Sequence, residues 1–152
     1  MRLMIIKDVT DGKERAFYHS VDTIFDNCKI KGEEDGESAF KECRNIKIQN
    51  SELCLRYPIW HNHNFELVNN LFHIDCTIEG TQPLCYCKNL TLKNCKMIKC
   101  DLSFEYSEVN ATIVGHIDSI KNPISGFISA ESVDEIIKED SIYNDTCKIK
   151  IG

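Results

Sequence analysis

The chain has no basic excess, no long apolar run and no catalytic motif that stands out, and each absence narrows what it does. Eighteen Lys and Arg stand against 24 Asp and Glu, for a net charge of −6. The basic residues are scattered rather than bunched. Nucleic acid and anionic membranes both call for a basic footprint, so neither is expected as a partner. No stretch approaches the roughly 18 apolar residues of a spanning helix. The opening run Met1-Arg2-Leu3-Met4-Ile5-Ile6 is too short for a signal core and has no small-residue cleavage site. With no address, the cytoplasm is the expected compartment. No cofactor is expected.

What is present fits one ordinary domain, residues 1–152, with 42% hydrophobic and 28% charged residues. Nine cysteines is a high and odd number. In a reducing compartment they stay thiols and behave as small, readily buried hydrophobes, which is the favoured reading. Asn89-Leu90-Thr91, Asn110-Ala111-Thr112 and Asn144-Asp145-Thr146 fit the glycosylation pattern, which carries meaning only after secretion.

A repeat dominates the sequence. Asn45-Ile46-Lys47-Ile48-Gln49-Asn50-Ser51-Glu52-Leu53 returns as Asn64-Phe65-Glu66-Leu67-Val68-Asn69-Asn70-Leu71-Phe72 and as Asn89-Leu90-Thr91-Leu92-Lys93-Asn94-Cys95-Lys96-Met97. Asp22-Thr23-Ile24-Phe25-Asp26-Asn27-Cys28-Lys29-Ile30 is an earlier copy, and Glu108-Val109-Asn110-Ala111-Thr112-Ile113 a degenerate later one. Residues 70–78 fit the motif a second time, as expected of one coil with a lengthened turn. Apolar and polar residues alternate within each copy, the period of a half-buried strand. A second short apolar element precedes each anchor: Ala16-Phe17-Tyr18, Ala39-Phe40-Lys41, Pro58-Ile59-Trp60, Pro83-Leu84-Cys85 and Leu102-Ser103-Phe104.

Two short strands and their turns in about nineteen residues leave no room for a helix, but make one turn of a β-solenoid. The expected fold is all-β, a single-stranded right-handed parallel β-helix of about five to six coils. Residues 14–116 supply coils, 1–13 an N-terminal cap, and 117–152 a last coil and cap. Stacking predicts inward columns of Phe17, Phe40, Ile59 and Leu84, and of Phe25, Ile48, Leu67, Leu92 and Ala111. It also predicts a buried ladder of Asn27, Asn50, Asn69 and Asn94, with Cys28, Ser51, Cys76 and Cys95 as small fillers beside it.

Several segments resemble a family of bacterial pectin-lyase-like right-handed β-helix proteins of unknown function. The likeness rests on Glu14-Arg15-Ala16-Phe17, residues 36–46, Tyr57-Pro58-Ile59-Trp60, residues 84–90, Phe104-Glu105-Tyr106-Ser107, and a closing stretch from Ile117 to Gly126. It implies the β-helix fold over residues 12–140 and a member shortened by several middle coils. It implies no activity.

β-Helix enzymes of this class cleave acidic polysaccharides with clustered carboxylates. Glu42, Glu105, His19 and His61 are the catalytic candidates, expected on one flank of the coils, yet no acid pair stacks into a working set. A non-catalytic module is therefore the first reading, with a polysaccharide lyase or glycoside hydrolase as the alternative. Cys and His are zinc ligands, and His61, His63, Cys85 and Cys87 lie on neighbouring coils. Opposite-facing residues of a strand make that set a weak one, so no metal is expected. The most suggestive surface is the column Tyr18, Lys41, Trp60, Cys85, Phe104, flanked by Tyr86. If it faces outward, Tyr18, Lys41, Trp60, Tyr86 and Phe104 would bind carbohydrate or a protein partner. Open solenoid ends make a homodimer a further expectation.

Overall fold

A computed structural model describes residues 3–11, 13, 15–30, 39–53, 59–68, 71–73, 84–98, 100–139 and 146–152. Among these residues there is no helix. In chain order the strands are β1 (Met4–Lys7), β2 (Val21–Asp26), β3 (Lys29–Ile30), β4 (Phe40–Lys41), β5 (Arg44–Gln49), β6 (Glu52–Leu53), β7 (Ile59–Trp60), β8 (His63–Val68), β9 (Leu71–His73), β10 (Lys88–Ile98), β11 (Glu108–Ile113), β12 (His116–Lys121), β13 (Ser125–Ala130), β14 (Ser132–Ile137) and β15 (Lys148–Ile151).

Every strand pairing among the described residues is parallel, and the strands form a β-solenoid of about six turns. The longest path of hydrogen-bonded strands runs β1-β2-β5-β8-β10-β11-β13-β15. A second face pairs β3, β6, β9 and the far half of β10; a third pairs β4 with β7, and β12 with β14 closes the later rungs.

Register explains why this alternating sequence folds this way. Ile6, Phe25, Ile48, Leu67, Leu92, Ala111, Ile128 and Ile149 stack one above another through successive pairings. From Phe25 to Ile128 all are buried. The five residues expected there are thus in one column, and each large member contributes about 1.5–3 kcal/mol by burial. Phe17, Phe40, Ile59 and Leu84 form the other expected column, with the Phe17 and Phe40 rings stacked at 5.2 Å.

Corners are made by residues in the left-handed backbone region, eighteen of them, other than glycine, among the described residues. Asp8, Asn27, Asn50 and Asn94 occupy one corner, and Asp22, Asn45, Asn64 and Asn89 another. Asx side chains tolerate this conformation best among non-glycine residues. Their amides hydrogen-bond along the stack: Asn45 Nδ2 to Asp22 Oδ1 at 2.8 Å, Asn64 Nδ2 to Asn45 Oδ1 at 3.0 Å, and Asn89 Nδ2 to Asn64 Oδ1 at 2.8 Å.

One expectation needs correcting. The column of Asn27, Asn50 and Asn94 is exposed rather than buried, because the left-handed turn swings each side chain outward; Asn69 lies outside the described residues. Buried corner fillers do exist at Cys28, Ser51 and Cys95; Cys76 lies outside the described residues. At the N-terminal end β1 is the last strand of the long sheet, in parallel register with β2.

A second corner column, buried from Cys43 onward, was not foreseen: Ser20, Cys43, Asn62, Cys87 and Ser107. Asn62 accepts from Cys43 N at 2.7 Å and donates to Phe40 O at 2.9 Å. One rung pair later, Ser107 Oγ accepts from Cys87 N at 3.0 Å and donates to Leu84 O at 2.7 Å. The Cys43 thiol points back at Phe17 O in the same manner, 3.3 Å away. Small side chains with a donor satisfy backbone groups that a corner would leave unpaired. This accounts for much of the cysteine content. The seven described cysteines are all buried thiols.

Candidate functional site

The third corner breaks the Asx rule. Its left-handed positions hold His19 (φ 61°), Glu42 (56°), His61 (53°), Tyr86 (57°) and Tyr106 (52°). Backbone bonds stack them: His19 N to Lys41 O, Glu42 N to Trp60 O, His61 N to Cys85 O and Tyr86 N to Glu105 O. Tyr18, Lys41 and Trp60 precede the first three members. The result is a ridge of rings and charges running along the solenoid.

Contacts along the ridge are close. Tyr18 donates its hydroxyl to Glu42 Oε2 at 3.1 Å, and His19 Nε2 lies 3.3 Å from the same oxygen. His61 and Tyr86 stack face to face, 4.8 Å apart at 7°. Trp60 lies 5.1 Å from Tyr86, and Tyr106 continues the row at 5.8 Å. Tyr18 is 40% exposed, and Trp60, Tyr86 and Tyr106 are half-buried. Beside the ridge, Lys41, Glu42, Cys43, Arg44, His61 and His63 line a cleft of about 390 Å³.

Electrostatics follow from this packing. Partial burial, then the Lys41 charge, lowers the His61 pKa below the usual histidine value, which favours a neutral ring against Tyr86. The Glu42 hydrogen bond raises the Tyr18 phenol, and burial followed by the Glu105 charge raises Tyr86.

Of the expected ligand-binding residues, the structure brings Tyr18, Lys41, Trp60 and Tyr86 together. Phe104 is not among them: it is fully buried in the core. Tyr106 stacks on Tyr86 while Val109 stacks on Leu90, so this face carries one residue more between the rungs than the long sheet does. That shift moves Phe104 inward beneath Leu84 and puts Glu105 next to Cys85. Cys85, also placed on the outward column, is fully buried.

The same shift separates the catalytic candidates. Glu42 stays on the exposed corner with His19, and His61 follows it. Glu105 is buried, its carboxylate 3.5 Å from Lys121 Nζ. The two glutamates thus occupy different columns and face no common point. The weak metal set also divides: Cys85 and Cys87 point into the core, whereas His61 and His63 are exposed. Burial pushes the Cys87 thiol up to about 12 and Cys85 well above its ordinary value, so neither offers a thiolate.

Tyr106 belongs to the ridge but is absent from the expected set. A rigid nineteen-residue step hides it, and the aromatic pair Phe104-Glu105-Tyr106 was the available signal.

Residues 4–74 and 67–151 match the model of a family described as "Protein of unknown function (DUF3737)", residues 67–74 falling within both matches. No curated protein and no solved structure matches the chain.

Proposed function

The chain belongs to that family, whose description assigns no activity, and we propose from the geometry that it is a non-catalytic module binding acidic carbohydrate along the ridge. The supporting observation is the backbone. Five side chains that are not Asx or Gly sit in the left-handed region at one corner, each at a cost of order 1–2 kcal/mol. Asn serves the other two corners at less cost. Arg15, Leu84, Leu102 and Phe104 carry the same strain elsewhere, Leu84 and Phe104 in the core, so it is the exposure of the ridge side chains together with their strain that points to a use.

The side chains suit a sugar. Half-exposed faces of Trp60, Tyr86 and Tyr106 offer stacking surfaces for the apolar face of a pyranose ring. The adjoining cleft holds Lys41 and Arg44 against one carboxylate, Glu42. Its local charge is positive on a chain of net charge −6, which favours a carboxylated or sulfated glycan. Charged surroundings suit a ring-stacking glycan better than a protein hot spot, whose anchors sit in a desolvated apolar centre. The likeness to pectin-lyase-like β-helices belongs to this reading as an analogy of fold.

Titration of the full chain with a panel of neutral and acidic oligosaccharides tests it. The expected result is saturable binding of an acidic member, weakened at least tenfold (about 1.4 kcal/mol) by Trp60→Ala. Absence of binding across the panel, or equal binding by Trp60→Ala, would remove the ridge as a glycan site.

A further inference from the structure

The closing rungs carry a pattern that the ridge does not use. His116-Ile117-Asp118 and Ser132-Val133-Asp134 are both polar, β-branched, Asp triplets, in β12 and β14. Alternation along a strand puts the first and third residues of each triplet on one face. The register His116↔Ser132 and Ile117↔Val133 then sets the two triplets side by side.

Donor atoms converge there. His116 Nε2 lies 3.1 Å from Asp134 Oδ2 and 3.5 Å from Asp118 Oδ1, and the three donor atoms are all within 4.8 Å of one another. On the other side of the ring, His116 Nδ1 is 2.7 Å from Ser132 Oγ. Nε2 thus faces both carboxylates, and three potential ligand atoms converge on one exposed point. An ion with tetrahedral bonds of about 2.0–2.1 Å holds its ligands about 3.4 Å apart. The two distances to Nε2 bracket that spacing. A hydroxyl on the distal ring nitrogen is also the outer partner that fixes the tautomer of a metal-ligating histidine.

We propose that His116, Asp118 and Asp134 bind one divalent ion of the zinc class. An imidazole with two carboxylates selects Zn2+ over Mg2+ and Ca2+, which prefer oxygen-only shells. Three protein donors leave a coordination position for solvent. A cleft of about 530 Å³, lined in part by Lys96, Ile98, Gly115 and Glu131, adjoins His116 and Asp118. The side chains of His116, Asp118 and Asp134 are 39%, 41% and 75% exposed, so an ion reaches them without opening the fold.

Equilibrium dialysis of the full chain with Zn2+, alongside Mg2+ and Ca2+, is the first measurement, and the visible spectrum with Co2+ the second. The expected result is one Zn2+ per chain, at least tenfold tighter than either alkaline-earth ion. His116→Ala and Asp134→Asn should each weaken it at least tenfold, while Glu108→Gln, on another rung, leaves it unchanged. Both altered side chains are solvent-exposed, and circular dichroism of each variant establishes that the β-solenoid persists. The Co2+ spectrum should show d–d bands without a sulfur-to-metal charge-transfer band, which separates this site from the thiols. No saturable Zn2+ binding, binding that survives both substitutions, or a sulfur charge-transfer band in place of the expected spectrum would each overturn the proposal.

Discussion

Replacing Asn62 is the sharpest test of how the corners hold. The residue is fully buried, and its amide spans two rungs by accepting from Cys43 N and donating to Phe40 O. Asn62→Ala strands one buried N–H and one buried C=O, each at about 1–3 kcal/mol. Water entering the vacated space recovers part of that, so a net loss of about 3 kcal/mol is expected. Asn62→Ser should cost about 1 kcal/mol, because Ser107 already performs both tasks one rung pair later with a single hydroxyl. Asn62→Asp separates the two tasks. A carboxylate accepts from Cys43 N but has nothing to donate to Phe40 O, and it is a buried charge. Its folded-state pKa should exceed the unfolded value, so the folded form binds the proton more tightly and the variant recovers stability as pH falls. Urea denaturation at several pH values reads all three changes as shifts in midpoint at constant slope. The reasoning is refuted if Asn62→Ala lies within about 0.5 kcal/mol of the parent, or if Ser and Ala cost the same.

The thiols give a second expectation, in the alkaline range. Burial holds Cys43 at about 11 and Cys87 at about 12, above the ordinary thiol value of 9.0. The unfolded chain therefore loses these protons first, and stability falls as pH rises from about 9 toward the folded values, by about 1.4 kcal/mol per pH unit for each thiol. Urea midpoints between pH 8 and pH 10.5 should show this slope, and Cys87→Ser should reduce it by one thiol's share; a slope unaffected by that change would contradict the assignment. Gly126→Ala should be among the most damaging single-methyl additions in the chain. At φ +103° a Cβ would lie 1.8 Å from Val109 O, and a loss above about 3 kcal/mol is expected by thermal melting.

The columns were readable because a parallel solenoid turns sequence period into spatial neighbourhood. Asn45, Asn64 and Asn89 stand at one point of each rung, and the spacing of the copies is the observed register of β2, β5, β8, β10 and β11. The corners were less readable. Asn27 and Asn50 read as buried because regular polar columns suggest an internal ladder, yet side-chain direction at a left-handed residue depends on local backbone that periodicity does not encode. A fixed step also misplaced Phe104. One extra residue on a single face suffices to exchange an outward position for an inward one, since side chains alternate with period two. His116, Asp118, Ser132 and Asp134 went unseen for another reason. The later rungs step by 16 or 17 residues, which a nineteen-residue template does not align.

Corner chemistry is where this fold divides stability from function. A strand face tolerates few changes, because each inward side chain packs against equivalents above and below. Beside the buried corner fillers, the Asx and ridge residues of the corners point outward and touch fewer neighbours, so their identity is set by backbone conformation and by whatever they meet from outside. Two corners resolve to Asn and Asp, which the left-handed conformation favours and which bond to one another along the stack. The third holds His, Glu, His, Tyr and Tyr on the same backbone, forgoing several kcal/mol. For a domain whose whole stability is of order 5–15 kcal/mol, that sacrifice is large. Packing does not demand it, since Asn fits the same turn elsewhere in the same rungs. The side chains displayed on that corner are therefore the part of this surface whose composition stability alone does not explain.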